Sequence, residues 1–421
     1  MKKKNKLHLS NAMVFLLLFG VVSLLSDMTH EGAASIQGSY LSLIGASAGV
    51  IGFVSGLGEL LGYSLRLVFG RLADKTKKYW PIVIIGYLID ILAVPLLAFV
   101  GPNGWILASI ILSVQRIGKA IKKPAKDTIM SFAASQEKVG RSFGIQEMLD
   151  QIGAFLGPLF LYLIMLFQTD GDTFTNYAIC FLFLLIPAIA TIVLLLITKK
   201  KFPNPDAFEP EPKHYEKFKL KPSFIFYIAG ISLFAFGFID YSLVGMHISN
   251  VYVSNNSFIT SETLPLIYSG AMIVDAFAAV VFGKLFDKFG TWSLIVATLL
   301  SSMFSLFIFE FNSIYMLLIG VVMWGIGMGA QESILKAVVT TMVPKNLRAT
   351  GYGIFEFSFG IFWFLGSTLL GFLYDYSLIA MVIVSIGSQL LSIPCYILSN
   401  IKFNKEKKKE IKTEVYEHTN N

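Results

Sequence analysis

Five bases and one acid, Arg116, Lys119, Lys122, Lys123, Lys126 and Asp127, stand in the stretch Gln115 to Asp127, inside a segment that hydropathy otherwise makes a membrane-spanning helix. If the segment is helical, Arg116, Lys119, Lys123 and Lys126 share one face, because their spacings of three, four and three follow the helical period. Lys122 is rotated to one side. A charge at bilayer depth costs at least about 2.5–3.5 kcal/mol, so the stripe must face protein or water. Such a face supports two kinds of chemistry. It can hold an anion or read the protonation of a nearby carboxylate, or it can form a lattice of internal ion pairs. Arg116 lies roughly 18 Å down its span by helical rise, near the bilayer centre, with Lys119 about one turn below. The acids expected at that depth are Asp27 and Glu59, and a guanidinium beside a carboxylate that opens to protons suits a coupling site. Lower down, Lys122 to Asp127 suit a lattice with Glu147 and Asp150, which stand one turn apart on the next span.

Asp27, His30 and Glu31 share one face of the first span. That spacing serves a proton or cation relay, a polar packing patch or a metal; His247 is isolated and no second His cluster supports a metal, so none is expected. In the second half Asp240, Asp275, Glu332 and Glu356 outnumber Lys336, an excess that protonation, water or pairing must relieve. Trp324, beside Gly325 and Gly327, is the aromatic best placed to line a cavity, against the commoner reading of such aromatics as helix packing.

The elements that position these groups follow from composition. At 55% hydrophobic and 14% charged, with mean hydropathy +0.68, the chain reads as an all-α polytopic membrane protein. Twelve segments are long enough to span a hydrocarbon core of about 30 Å: 11–38, 46–70, 80–100, 104–133, 142–167, 177–198, 222–253, 264–283, 292–310, 313–343, 350–374 and 378–400. Residues 1–198 form one six-helix bundle and 222–400 another; 199–221, with four prolines and mixed charges, is a linker, and 401–421 a basic tail. Lys and Arg crowd the N-terminus, the loop after the second span, the linker, the loops at Lys284 and Lys345, and the tail. The alternate loops 101–103, 168–176, 254–263, 311–312 and 375–377 have neither. The positive-inside rule therefore puts both termini and the linker in the cytoplasm of a cell that carries the chain in its cytoplasmic membrane. That distribution accounts for the net charge of +7 without a nucleic-acid partner. Cys180 and Cys395 lie in apolar runs, which implies no disulfide framework. No cleavable signal peptide is expected, since the first apolar segment is too long for one. Phosphate loop, nucleophile elbow and metal cluster are missing from the sequence, so an enzyme is not expected.

The halves repeat. Gly70-Arg71-Leu72-Ala73-Asp74-Lys75 is echoed by Gly283-Lys284-Leu285-Phe286-Asp287-Lys288 at a displacement of 213 residues, which also carries Asp27 onto Asp240. Further on, a displacement of 209 carries Gly118 onto Gly327, Glu147 onto Glu356 and Gly157 onto Gly366. The first of these loops resembles the signature loop of the major facilitator superfamily, with Lys77 where that family's second glycine is expected; the second copy keeps it as Gly290. Arg116-Ile117-Gly118-Lys119-Ala120 resembles the family's fourth-span motif, and Gly153-Ala154-Phe155-Leu156-Gly157-Pro158 is similar to the glycine-proline motif of its drug antiporters. The resemblance covers nearly the whole chain. It implies two pseudo-symmetric six-helix bundles that rock in alternating access, with spans 1, 4, 7 and 10 lining the cavity and the substrate near mid-membrane. It also implies that Asp74, with Gly70, Lys75, Gly283 and Asp287 in the two loops, forms a conformational latch against Lys123, Lys126 or Arg141 and the helix start near Thr350. The coupling and substrate residues are then Asp27, Glu31, Glu59, Arg116, Lys119, Asp240 and Trp324, and the lattice residues Lys123, Lys126, Asp127, Glu147 and Asp150. Three functions fit: a proton-coupled exporter of a small organic molecule, an importer or exchanger of an organic anion, and a non-transporting sensor or scaffold. The exporter is the leading expectation, monomeric, with the bilayer and a small-molecule substrate as partners and no cofactor beyond the coupling proton.

Overall fold

The computed structural model describes residues 10–135, 139–168, 171–204, 221–253, 259–343 and 348–419; for residues 135, 139–143, 335–337, 340, 348–350 and 409–419 it describes the backbone alone. The bases Lys2 to Lys6 and Lys345, most of the linker and the side chains of Arg141, Lys336 and Thr350 lie outside it. Eleven helices or helix pairs are long and apolar enough to cross a membrane: α1 (Asn11–Leu43), α2 (Ala48–Thr76), α3 (Tyr79–Leu96, extended by a tight turn to Phe99), α5 (Val139–Leu166), α6–α7 (Thr173–Phe183, Leu185–Lys201), α8–α9 (Pro222–Gly237, Tyr241–His247), α10 (Thr263–Phe289), α11–α12 (Trp292–Ser301, Phe304–Phe309), α13 (Ile314–Met342), α14 (Arg348–Tyr376) and α15 (Leu378–Thr419). The twelfth, α4 (Trp105–Ser135), has the length but carries the charged stretch, which keeps its hydropathy below that of a lipid-facing span. All twelve expected spans are present.

Differences fall where local chemistry overrides hydropathy. The stretch Gly70 to Lys75 is not a loop but the last turns of α2, and Gly283 to Lys288 likewise ends α10. The two helix ends also share a backbone habit. Gly290 stops α10 at φ +59, its amide donating to Phe286 O at 2.7 Å; Lys77, its counterpart, stops α2 at φ +55, its amide donating to Ala73 O at 2.8 Å. The backbone demands a positive φ at both ends, which glycine supplies freely and lysine only with strain. The seventh span breaks at Phe238 to Asp240, where the Asp240 carboxylate caps α9 by accepting from Ser242 N at 2.9 Å. The expected tail continues α15 as helix.

Contacts divide the chain into two units whose border does not follow the repeat. The first holds 1–35, 65–101 and 106–212; the second holds 36–64, 102–105 and 213–421, so the last two turns of α1 and most of α2 group with the second repeat's helices. In the first unit, Gly153 and Gly157 let α5 touch α1: a Cβ on either would sit 2.3 Å from Leu24 O or Met28 O. The antiporter-like glycines are thus a helix-crossing device against the turn that bears Asp27. Phe15, Phe19, Trp80 and Phe132 fill a core beneath, with Trp80 Nε1 donating to Phe202 O at 3.0 Å. In the second unit α15 runs along α8: Ser385 Oγ and Gln389 Nε2 donate to Gly237 O at 2.7 and 3.1 Å.

Candidate functional site

Asp90, the acid of apolar α3, is fully buried because glycines bring α3 and α4 together. A Cβ at Gly118 would fall 2.5 Å from Asp90 N, and one at Gly86 2.5 Å from Lys122 N. That close crossing seals a polar cluster among α1, α3 and α4. His30 Nε2 and Asp90 Oδ2 are 2.8 Å apart; Gln115 Nε2 lies 2.8 Å from His30 Nδ1 and donates to Asp90 Oδ1 at 2.9 Å. Lys122 completes it. Its ammonium pairs with Asp90, donates to Ser26 Oγ at 2.9 Å and sits 4.0 Å above the Tyr87 ring. A turn lower, Lys126 donates to Ser23 Oγ.

The placement of the Gln115 amide assigns the His30 tautomer. Since Gln115 donates to Nδ1, that nitrogen accepts, and the imidazole proton resides on Nε2, directed at Asp90. A second proton on His30 would make Nδ1 a donor and require the Gln115 amide to rotate so that its oxygen accepts. Protonation of one buried group is therefore tied to a rearrangement of another on the next helix.

The repeat supplies an internal control. Displacements of 213, 211 and 209 residues carry His30, Asp90, Gln115 and Lys122 onto Leu243, Ser301, Trp324 and Gln331. The backbone correspondence is physical: Gly327 backs onto Ser301, a Cβ there falling 2.9 Å from Ser301 Cβ, as Gly118 backs onto Asp90. None of the four counterparts is charged. Trp324, at the position of Gln115, donates from Nε1 to Ile239 O at 2.9 Å, and Gln331, at that of Lys122, keeps a buried amide nitrogen without a hydrogen-bond partner. The six-helix unit closes without these charges. Burying an Asp–Lys pair stabilises little over an apolar isostere, so the charged version in one repeat is not explained by folding.

Set against the sequence expectations, the buried face of α4 is Gln115, Gly118, Lys122 and Lys126; of the expected stripe Lys126 alone lies on it, and Arg116, Lys119 and Lys123 are half-buried. Lys122 and Lys126 are 5% and 6% exposed, whereas Lys123 is half-buried and pairs along its own helix with Asp127 at 3.3 Å. The lattice with α5 is not formed at ion-pair distance among the described residues: Glu147 is exposed, and one Asp150 oxygen is buried without a hydrogen-bond partner. Asp27, Glu31, Arg116 and Lys119 are half-buried in the first unit; Glu59 and Asp240 are half-buried in the second. Trp324, expected to line a cavity, is 3% exposed and packed against Phe238, Tyr241 and Tyr268. Asp74, Lys75 and Asp287 are exposed; a Cβ at Gly70 would fall 3.6 Å from Pro124 Cβ, and one at Gly283 3.9 Å from Ser333 Cβ. Asp90 and Gln115 are the residues that spacing alone did not assign, and Lys122, expected in the lattice with α5, pairs with Asp90 instead. The available signal was paired: Gly86 stands one turn before Asp90, and Gly118 one turn before Lys122.

Twelve spans in two sequence repeats, with a sealed ion network in the first of them, define a polytopic membrane protein. The chain belongs to the Major Facilitator Superfamily, whose pattern matches residues 7–254 and again 233–415. An uncharacterized Mycobacterium tuberculosis protein is 35% identical over 385 residues, covering 90% of this chain and 91% of its own. An uncharacterized MFS-type transporter of Methanocaldococcus jannaschii is 28% identical over 366 residues, covering 86% and 88%. Among solved structures, a bacterial homologue of the human lysosomal transporter Spinster superposes with TM-score 0.72 at 15% identity, over 94% of this chain and 98% of that one. The nucleoside transporter NupG superposes with TM-score 0.69 at 16% identity, over 94% and 99%. The protein is a membrane transport protein and not an enzyme.

Proposed function

We propose that the protein is a proton-coupled secondary transporter that exports a small organic molecule by alternating access, as a monomer with both termini in the cytoplasm. The observation that carries this reading is the His30–Asp90–Gln115–Lys122 network, present in one repeat and replaced by neutral residues in the other. A buried imidazole whose proton count is tied to the Gln115 amide gives a protonation event a structural consequence. Asp27, half-buried on the same helix one turn before His30, acts with it in coupling, and Arg116 and Asp240 act toward the substrate path. Lys119 supports a second reading. It is half-buried and makes no hydrogen bond or ion pair among the described residues, as suits a base that receives an organic anion.

The test reconstitutes purified protein in liposomes holding a pH-sensitive dye, after a thermal-shift screen of metabolites and drugs supplies ligands. Export coupling is expected to appear as ligand-dependent proton movement opposite to ligand movement, lost in Asp90→Asn. Proton movement with the ligand, for anionic ligands alone, would favour the second reading. Ligand transport indifferent to an imposed pH gradient would reject proton coupling.

A further inference from the structure

α2 and α14 lie together in the second unit from their 48–64 and 364–375 portions, and the seam between them is held by backbone contact. A Cβ at Gly52 would fall 2.2 Å from Ser367 O, one at Gly371 2.5 Å from Ala48 O, and one at Gly56 2.9 Å from Phe364 Cα. α1 adds a parallel seam with α9. A Cβ at Gly38 would fall 1.7 Å from Ser242 O, and Ser39 Oγ donates to Gly245 O at 2.9 Å. At the tip stands Asp375, one residue before the end of α14. Its Oδ2 accepts from Gly49 N at 2.8 Å and its Oδ1 from Ala48 N at 3.3 Å. A carboxylate 326 residues away thus caps the first turn of α2, where unpaired amides and the positive end of the helix dipole favour an anion.

The far end of α2 belongs to the first unit, from 65 onward. A helix fastened at one end to the opposite repeat, and at the other to its own, must break one attachment if the repeats rock. We propose that Asp375 is a gating residue: its cap on α2 latches the transporter shut at the 44–47 and 375–377 end. Asp74, near the opposite end of α2, is its reciprocal, so that one carboxylate is docked while the other is released. The cap made here is that of Asp375; Asp74 is exposed and makes no hydrogen bond or ion pair among the described residues. This inference rests on the alternating-access reading but needs neither substrate nor proton coupling.

Its test is therefore independent of transport. Ser55, 3% exposed on α2 beside Ser367, is replaced by Cys in a Cys180→Ser/Cys395→Ser background, and its labelling by a hydrophilic maleimide is timed on purified protein. Removing the cap with Asp375→Ala or Asp375→Asn is expected to speed labelling about three- to thirty-fold, the range that loss of a helix cap spans. Asp375→Glu is expected to keep the slow rate, and Asp74→Asn to slow it further. Native Cys180, buried in α6 and retained in a parallel chain, reports general loosening. Unchanged Ser55→Cys labelling in both Asp375 variants, or an equal rise at Cys180, would overturn the latch.

Discussion

Replacing Asp90 by Ser would copy the second repeat at one position and leave Lys122 without its partner. The ammonium, in a side chain 6% exposed, would retain only Ser26 Oγ at 2.9 Å and the face of Tyr87. An uncompensated buried charge costs about 3–5 kcal/mol. At roughly 2–4 °C per kcal/mol for a unit of this size, the expected fall in Tm is about 6–20 °C. The double variant Asp90→Ser/Lys122→Gln then reproduces Ser301 and Gln331, whose surroundings close without charge. It is expected to recover to within about 2 kcal/mol of the parent, giving a strongly non-additive cycle. Thermal unfolding of all four proteins, followed by intrinsic fluorescence in one detergent, measures it. The same double variant is expected to bind ligand yet lose ligand-dependent proton movement in liposomes. A near-neutral Asp90→Ser, a double variant as unstable as the two single losses summed, or a double variant that still couples protons would refute a coupling role for the pair. In the second case the pair would belong to the fold and not to the transport cycle.

Lys77→Gly is expected to raise stability by about 0.5–1 kcal/mol, because a left-handed backbone held by a lysine relaxes when the residue has no Cβ; the matching Gly290→Lys should lower it, both read as Tm shifts. Asp172 caps α6 in a loop, accepting from Thr175 N at 3.0 Å, and the hydrogen bonds from the Thr175 side chain and amide hold its carboxyl below the usual range. Its contribution is therefore complete above the ordinary carboxylate pKa and is lost as pH falls through the depressed one. Asp172→Asn should accordingly be less stable than the parent at neutral pH and converge with it in acid, a comparison made by Tm across a pH series.

The twelve spans were legible because length and apolarity decide them, and α4 was legible despite its charges because its flanking loops are short. The signature stretches were misread as loops: Arg71, Asp74 and Lys75 look like loop residues, yet α2 carries them as helix until Lys77 turns the backbone. The site was legible only in part. Counting threes and fours put Lys123 on the inner face and Lys122 to one side, because spacing defines a stripe but not which way it points. What points α4 is Gly118 against Asp90 and Gly86 against Lys122, a contact between two helices that neither helix's own periodicity contains. Trp324 was misplaced for the same reason: a tryptophan beside glycines lines a cavity or fills a core depending on the partner, and here the partner is Ile239 O with Phe238 and Tyr241 around it.

The grip of α15 on α8 has a consequence for how the protein is made. The start of α8 is fastened through Ser223, whose amide donates to Glu406 at 3.0 Å and whose carbonyl accepts from Ser399 Oγ at 2.8 Å, while its end is held at Gly237 by Ser385 and Gln389. The ribosome delivers α8 first and α15 last. At about 5–20 residues per second, these polar groups wait roughly 10–40 seconds in the membrane before their partners are synthesised. The second half therefore cannot ripen helix by helix; it must be sheltered as an open assembly and sealed in one late step. Chains truncated before Ser385 should stay in the hands of the membrane insertion and quality-control machinery.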